Sequence, residues 1–203
     1  MPLATAVPQV TAPNTAAATR SPVEVDNRAA YIGFGLAYVF GHGSAALSKG
    51  TSPLLDLPAW LPMALLGAGL AVGTIQATRA ALRAQRGATG PDLLSGKLLG
   101  ASWLIGFAAL FLAITGLSSA VDAPDLQSML WPTGSGLIVG LIYVSEGAAR
   151  RNVLHYGLGV WLALTSTAAL FFGTPGLYWV LAIAGGGAYA LATALERRRL
   201  GLR

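Results

Sequence analysis

The 203-residue sequence contains no cysteine, which excludes disulfides, thiolate nucleophiles, cysteine-ligated iron–sulfur clusters and cysteine-based zinc sites. Charge is scarce as well. Asp, Glu, Lys and Arg make up 10% of the chain, against about a quarter in an ordinary soluble domain. Only two histidines are present, His42 and His155. What fills the chain instead is apolar: 54% of residues are hydrophobic and the mean hydropathy is +0.61. That balance describes a membrane protein and leaves no soluble stretch long enough to bury a catalytic domain's core.

The charges that do occur are unevenly placed. None falls in 29–48, 57–78, 98–121, 126–145 or 152–195. A bilayer-spanning helix needs about 20 apolar residues, so each of the four shorter runs supplies one span. The last run is twice as long and supplies two, broken at Gly173-Thr174-Pro175-Gly176. The sequence therefore predicts an all-α integral membrane bundle of six transmembrane helices. Its spans are expected at about 29–48, 57–78, 98–118, 129–146, 153–172 and 176–195, arranged as three helical hairpins.

The net charge of +5 and the pI near 10.0 would suggest nucleic acid in a soluble protein, but here they follow the positive-inside rule. Arg20 and Arg28 precede span one, and Arg79, Arg83, Arg86 and Lys97 separate spans two and three. Arg150 and Arg151 separate spans four and five, and Arg197, Arg198, Arg199 and Arg203 follow span six. Lys49 is the exception, on the side that carries Asp56, Asp122 and Asp125. Both termini are thus expected in the cytoplasm, with the plasma membrane as location and no nucleic-acid partner. Residues 1–27, rich in Ala, Thr and Pro, read as a disordered cytoplasmic tail, with a targeting peptide as the alternative.

The even-numbered spans begin alike on the outer side, with Pro58, Trp60 and Pro62, with Trp131 and Pro132, and with Pro175, Tyr178 and Trp179. Proline suits a first helical turn, and Trp or Tyr suits the headgroup level. Spans one and five also start alike, Tyr31-Ile-Gly33-Phe-Gly35 against Tyr156-Gly157-Leu-Gly159, a pattern of repetition that some transporters use. Small residues at close spacing, Gly69 with Gly73, Gly136 with Gly140, and Gly186 in span six, mark helix-packing faces, with intramolecular packing the expected use.

Ionisable groups inside a span are costly and are the first place to look for function. His42, in Gly41-His42-Gly43-Ser44, should lie roughly 20 Å from the cytoplasmic edge at 1.5 Å per residue. It is the leading candidate for a proton-carrying or ligand-binding group, with Ser44, Thr165, Ser166 and mid-membrane Trp161 as further contacts along a polar path. Glu146, Arg150, Arg151 and His155 form an expected cytoplasmic cluster, in which Glu146 and Arg150 have the favourable i, i+4 spacing. The predicted difference in depth of about 14 Å between the two histidines speaks against their sharing a haem.

Leu94-Ser95-Gly96-Lys97 lacks the upstream glycine and following hydroxyl of a phosphate loop, and no span contains a lysine for a retinal Schiff base. No cofactor or metal set is expected. Six spans with both ends inside, and Ser135-Gly136-Leu137-Ile138-Val139-Gly140-Leu141 at the outer start of span four, resemble the rhomboid intramembrane proteases. In that family a serine in a Gly-x-Ser-Gly setting attacks the peptide and a histidine of the sixth span is its base. Here Thr133 replaces the first glycine, span six has no histidine and the family's large first outer loop is missing. The resemblance implies a non-catalytic relative that binds membrane segments.

The reading that leads is a transport-related protein, either a permease-like subunit or an oligomeric carrier or channel for an apolar or neutral solute. Its expected partners are the lipid bilayer and either a partner membrane or ATPase subunit or further copies of itself. A non-enzymatic scaffold acting on other membrane proteins is the alternative. An enzyme ranks last, because no nucleophile–base pair can be assembled.

Overall fold

A computed structural model describes residues 24–86, 88–123 and 125–201. Of these described residues 85% are helical and none is in a strand. The expected tail lies almost wholly outside them, as do Gly87 and Arg203. Five continuous helical stretches occur. We label them α1 (28–48), α2 (Leu61–Gln85), α3 (Pro91–Ala120), α4 (Leu126–Ala149) and α5 (Val153–Gly201). The last four are long and apolar enough to cross a membrane. α1 is not among these four: His42, two serines and several glycines dilute its apolar content.

Where six helices were expected, the described residues form five continuous ones, because the long charge-free run is helical on both sides of a kink. α5 tightens into a 3-10 turn at Ala169–Phe172. It then bends where Gly173 adopts φ 56°, a left-handed conformation that costs glycine little, and where Thr174 leaves helical angles at φ −92°, ψ 130°. The helix resumes through Pro175. We call 153–172 and 175–201 its first and second arms.

α1 is the centre of the assembly. It packs against α2 on one flank and the second arm of α5 on the other, while α4 packs on the first arm and α3 on α4. α2 and α3 scarcely touch, so the ring of helices has an open seam between them. The most intimate pairing joins α4 to the first arm of α5, across the boundary between the second and third expected hairpins. The reason is a close backbone approach: a Cβ on Gly140 would fall 2.5 Å from the nitrogen of Ala163, and one on Gly159 2.6 Å from the carbonyl of Gly140. Glycine at both places lets main chains meet where no apolar driving force separates protein from lipid.

Two π-helical turns face each other across the core, Ala37–His42 in α1 and Leu181–Gly185 in α5. Tyr38 lies directly on Gly185, and a Cβ there would overlap its ring. Such widened turns are rare and cluster at functional sites. The buried core is unusually aromatic: Tyr31, Phe34, Tyr38, Tyr143, Tyr178 and Tyr189 all belong to it.

Helix starts differ from expectation in one instructive place. α4 begins at Leu126, so Pro132 lies inside the helix instead of opening it. Proline has no N–H to give the carbonyl four residues back. That carbonyl, of Ser128, instead accepts a 2.9 Å hydrogen bond from the Tyr178 hydroxyl. The matching starts of spans one and five have different surroundings: Tyr31 is buried at 1% exposure whereas its counterpart Tyr156 is 43% exposed.

At one end of the bundle the segment before α1 is clamped to the end of α5. Arg199 donates to Glu196 at 2.8 Å through both Nε and Nη2, to Glu24 at 2.9 Å and to the carbonyl of Val25 at 3.1 Å. Glu196 is wholly buried, and removing the cation would strand its charge.

Candidate functional site

Two groups of polar and aromatic side chains line cavities in the seam beside α2, one toward the start of α1, here called inner, and one toward its end, called outer. The inner group joins four helices. Tyr31 of α1 places its hydroxyl 2.6 Å from Nδ1 of His155 in α5, and Nε2 of His155 lies 3.4 Å from the Glu146 carboxylate of α4. The indole Nε1 of Trp103 in α3 donates to Glu146 at 3.1 Å. Nε2 faces the carboxylate without a hydrogen bond of good geometry, while Nδ1 and the Tyr31 hydroxyl share one whose direction depends on the tautomer. The Tyr143 ring stacks at a tilt on the imidazole, with centroids 4.2 Å apart.

Local sequence explains the position of His155. Asn152, in the short turn after α4, caps α5 by accepting from the His155 backbone N–H at 3.1 Å, which starts the helix so that residue 155 faces inward. Glu146 turns to His155 and Trp103, where spacing alone had paired it with Arg150; the side chain bridges between helices and leaves the intrahelical partner unused. Arg150 nevertheless lines the same cavity, of about 340 Å³, with Tyr31, Phe34, Thr78 and Gln85. Arg151 stands apart from the cluster: it is exposed and takes a left-handed φ of 53° in the turn.

His42 belongs to the outer group. It is 4% exposed, its ring meets Tyr38 edge-on at 5.0 Å and stacks on Tyr178 at 6.2 Å. It borders a cavity of about 480 Å³ together with Phe34, Phe107, Trp131, Ser135, Tyr189 and Lys49. Lys49 sits over the Tyr178 ring, 5.5 Å from its centroid. Phe34 is common to the linings of both cavities; on α2, Gly73 lies against its ring.

The other expected contacts have more local roles. Ser44 bonds back to the carbonyls of Phe40 and Gly41, and Thr165 to that of Trp161, as helical hydroxyls in membranes commonly do. Ser166 is wholly buried against Gly136, beside Tyr38, and its hydroxyl has no hydrogen bond of good geometry among the described residues. Trp161 stands half exposed on a groove between the two arms of α5, its indole donating to the carbonyl of Ala184 at 3.0 Å. Gly69 lies on Ala37, Gly73 on Phe34, Gly140 on Ala163 and Gly186 on Val39; each of these partners is within the chain.

Sequence reasoning missed Tyr31, Phe34, Tyr38, Trp103, Tyr178 and Tyr189, which build both sites. For the tyrosines and Trp103 a signal was present, since hydroxyls and an indole inside apolar runs need polar partners when buried; Phe34 carried none. Among the described residues no group of three or more histidine or acidic side chains is placed to hold a metal.

Helices of this length and composition, covered by outward-facing Leu, Ile, Val and Phe, define an all-helical membrane protein. Compared with protein-family models, curated proteins and solved structures, the chain matches none.

Proposed function

We propose that this is a six-span, transport-related protein of the plasma membrane that moves a small, largely apolar or neutral solute, with both termini cytoplasmic. In this reading α1 and each arm of α5 cross the bilayer, and the arginine-bearing helix ends lie inside. One observation carries it: two cavities lie beside α2, and Phe34 lines both. A single bulky side chain between an inner and an outer chamber is the barrier a transport pathway requires, and few buried charges suit a solute that carries none.

The experiment replaces the barrier. Proteoliposomes containing Phe34→Ala, checked for folding by size exclusion, should shrink and reswell with glycerol severalfold faster than wild-type vesicles in stopped-flow light scattering. A folded Phe34→Ala protein indistinguishable from protein-free vesicles would sink the proposal.

A second reading, assembly with further copies or with a partner membrane or ATPase subunit, is favoured by α3, in which Ile114 is the one buried residue of the helix. Leu104 there is 76% exposed. Oxidation of Leu104→Cys in native membranes should give a disulfide-linked dimer if copies associate through α3; an unchanged monomer band removes that version.

A further inference from the structure

We infer that the outer cavity is a binding site for an aromatic acid, its ring held among the aromatic walls and its acidic group met by Lys49 and His42. The inference goes beyond the transport reading: it takes this cavity as a binding chamber and gives it an anionic ligand distinct from the neutral solute proposed to cross.

Three observations lead there. First, the walls are aromatic: Phe34, Tyr38, Phe107, Trp131, Tyr178 and Tyr189 are six of the chain's 17 Phe, Tyr and Trp residues. Planar rings favour offset or edge-on packing against such walls, and about 480 Å³ lies within the range of roughly 300–1,000 Å³ typical of small-molecule sites.

Second, the lining carries one formal charge. Lys49 contributes it, no Asp or Glu borders the cavity, and among the described residues no carboxylate lies within ion-pair distance of its ammonium. Its recorded interaction is with the face of Tyr178. Lys49 is also the one basic residue that the charge pattern leaves on the outer side, so topology does not account for it.

Third, His42 is 4% exposed and borders the cavity, yet among the described residues neither ring nitrogen makes a hydrogen bond. Its contacts are ring to ring, with Tyr38 and Tyr178. An imidazole in the cavity wall offers an N–H to a ligand oxygen there. A cation at the cavity and an N–H in its wall together select an acceptor that is also an anion.

The test is calorimetric titration of the detergent-purified full chain with 2-naphthoate, neutral 2-naphthamide, cationic 2-naphthylmethylammonium and the acyl-chain acid dodecanoate. Naphthoate should bind about tenfold or more tightly than the amide, a preference equal to one good charge-assisted contact, and the cation should not bind. Lys49→Gln should abolish the preference while leaving amide binding unchanged, and Lys49→Arg should keep it. His42→Phe should weaken naphthoate and amide alike. Equal binding of naphthoate and amide, or a preference that survives Lys49→Gln, overturns the inference while leaving the chamber itself intact. Tighter binding of dodecanoate overturns the aromatic part. If no probe binds, the inference fails outright, and the Phe34→Ala flux measurement decides the transport reading separately.

Discussion

The hydroxyl of Tyr31 and Nδ1 of His155, 124 residues apart in sequence, lie 2.6 Å from each other in the buried interior. Through His155 and Glu146 this contact ties α1, α4 and α5 together, and Trp103 adds α3. Removing one member leaves a buried polar group unpaired. Tyr31→Phe should therefore lower stability by about 1–3 kcal/mol, read as unfolding in mixed micelles, and His155→Ala should cost more because it also removes the contact with Glu146 and the ring packed on Tyr143. The double variant should lose less than the two singles added together. Additive losses would mean that the bond contributes nothing.

Glycine substitutions should divide sharply by what lies opposite. A Cβ at Gly140 would meet the backbone of Ala163 at 2.5 Å and the carbonyl of Gly159 at 2.6 Å, whereas Gly67 and Gly100 have nothing within 4 Å. Gly140→Ala must force two helices apart, at a cost of about 1–3 kcal/mol, while Gly100→Ala should be neutral or slightly stabilising through helix propensity. Thermal melts in one detergent compare them directly, and equal melting temperatures would contradict the close approach.

Because the chain has no cysteine, a single introduced one reports its own accessibility. Ser135 borders the outer cavity and Thr78 the inner one. In sealed vesicles of known orientation, a membrane-impermeant maleimide should label Ser135→Cys from the outside and Thr78→Cys from the cytoplasmic side. Labelling of both from the same side would refute the proposed topology.

Near the start of α1, the Arg28 guanidinium, hydrogen-bonded to Asp26 at 2.7–3.2 Å, holds that carboxyl below the usual carboxylate range. A depressed folded value means that the contribution is present above the carboxyl's unfolded pKa and fades as pH falls through the folded one. The two side chains are 43% and 45% exposed, so at neutral pH Asp26→Asn should change stability by less than about 0.5 kcal/mol. Its melting temperature should instead fall less steeply than wild type below pH 4. Parallel acid profiles would show that the pair has no linkage to folding.

Much of the architecture was legible in the charge pattern. The runs 57–78, 98–121 and 126–145 each fall within or nearly within one apolar helix, because a span that must bury its backbone in lipid excludes charge along its length. The end of α2 was legible too: Arg79, Arg83 and Arg86 at helical spacing before Gly87 mark a helix that runs past the apolar segment, and it ends at Gln85. The start of α3 was less legible: it begins at Pro91, ahead of the charge-free run, since helical hydrogen bonding continues past the apolar segment wherever no breaker intervenes. His42, marked by its rarity, does line a cavity, but the residues around it could not be read. Tyr38 is one turn away on α1, but Trp131 and Tyr178 come from helices distant in sequence, and no periodicity within one helix records which face meets another.

The sequence by itself determined that the chain is helical and apolar enough for a membrane, because those properties depend on composition and on the spacing of charge along one strand of text. It also singled out Lys49 as a basic residue without a topological role. Only the tertiary structure decided that α4 pairs most intimately with the first arm of α5, that Glu146 faces His155 instead of Arg150, and that Phe34 borders two chambers. These are relations across helices, settled where glycine permits backbones to approach and where side chains such as Trp103 and Tyr178 reach acceptors on other helices.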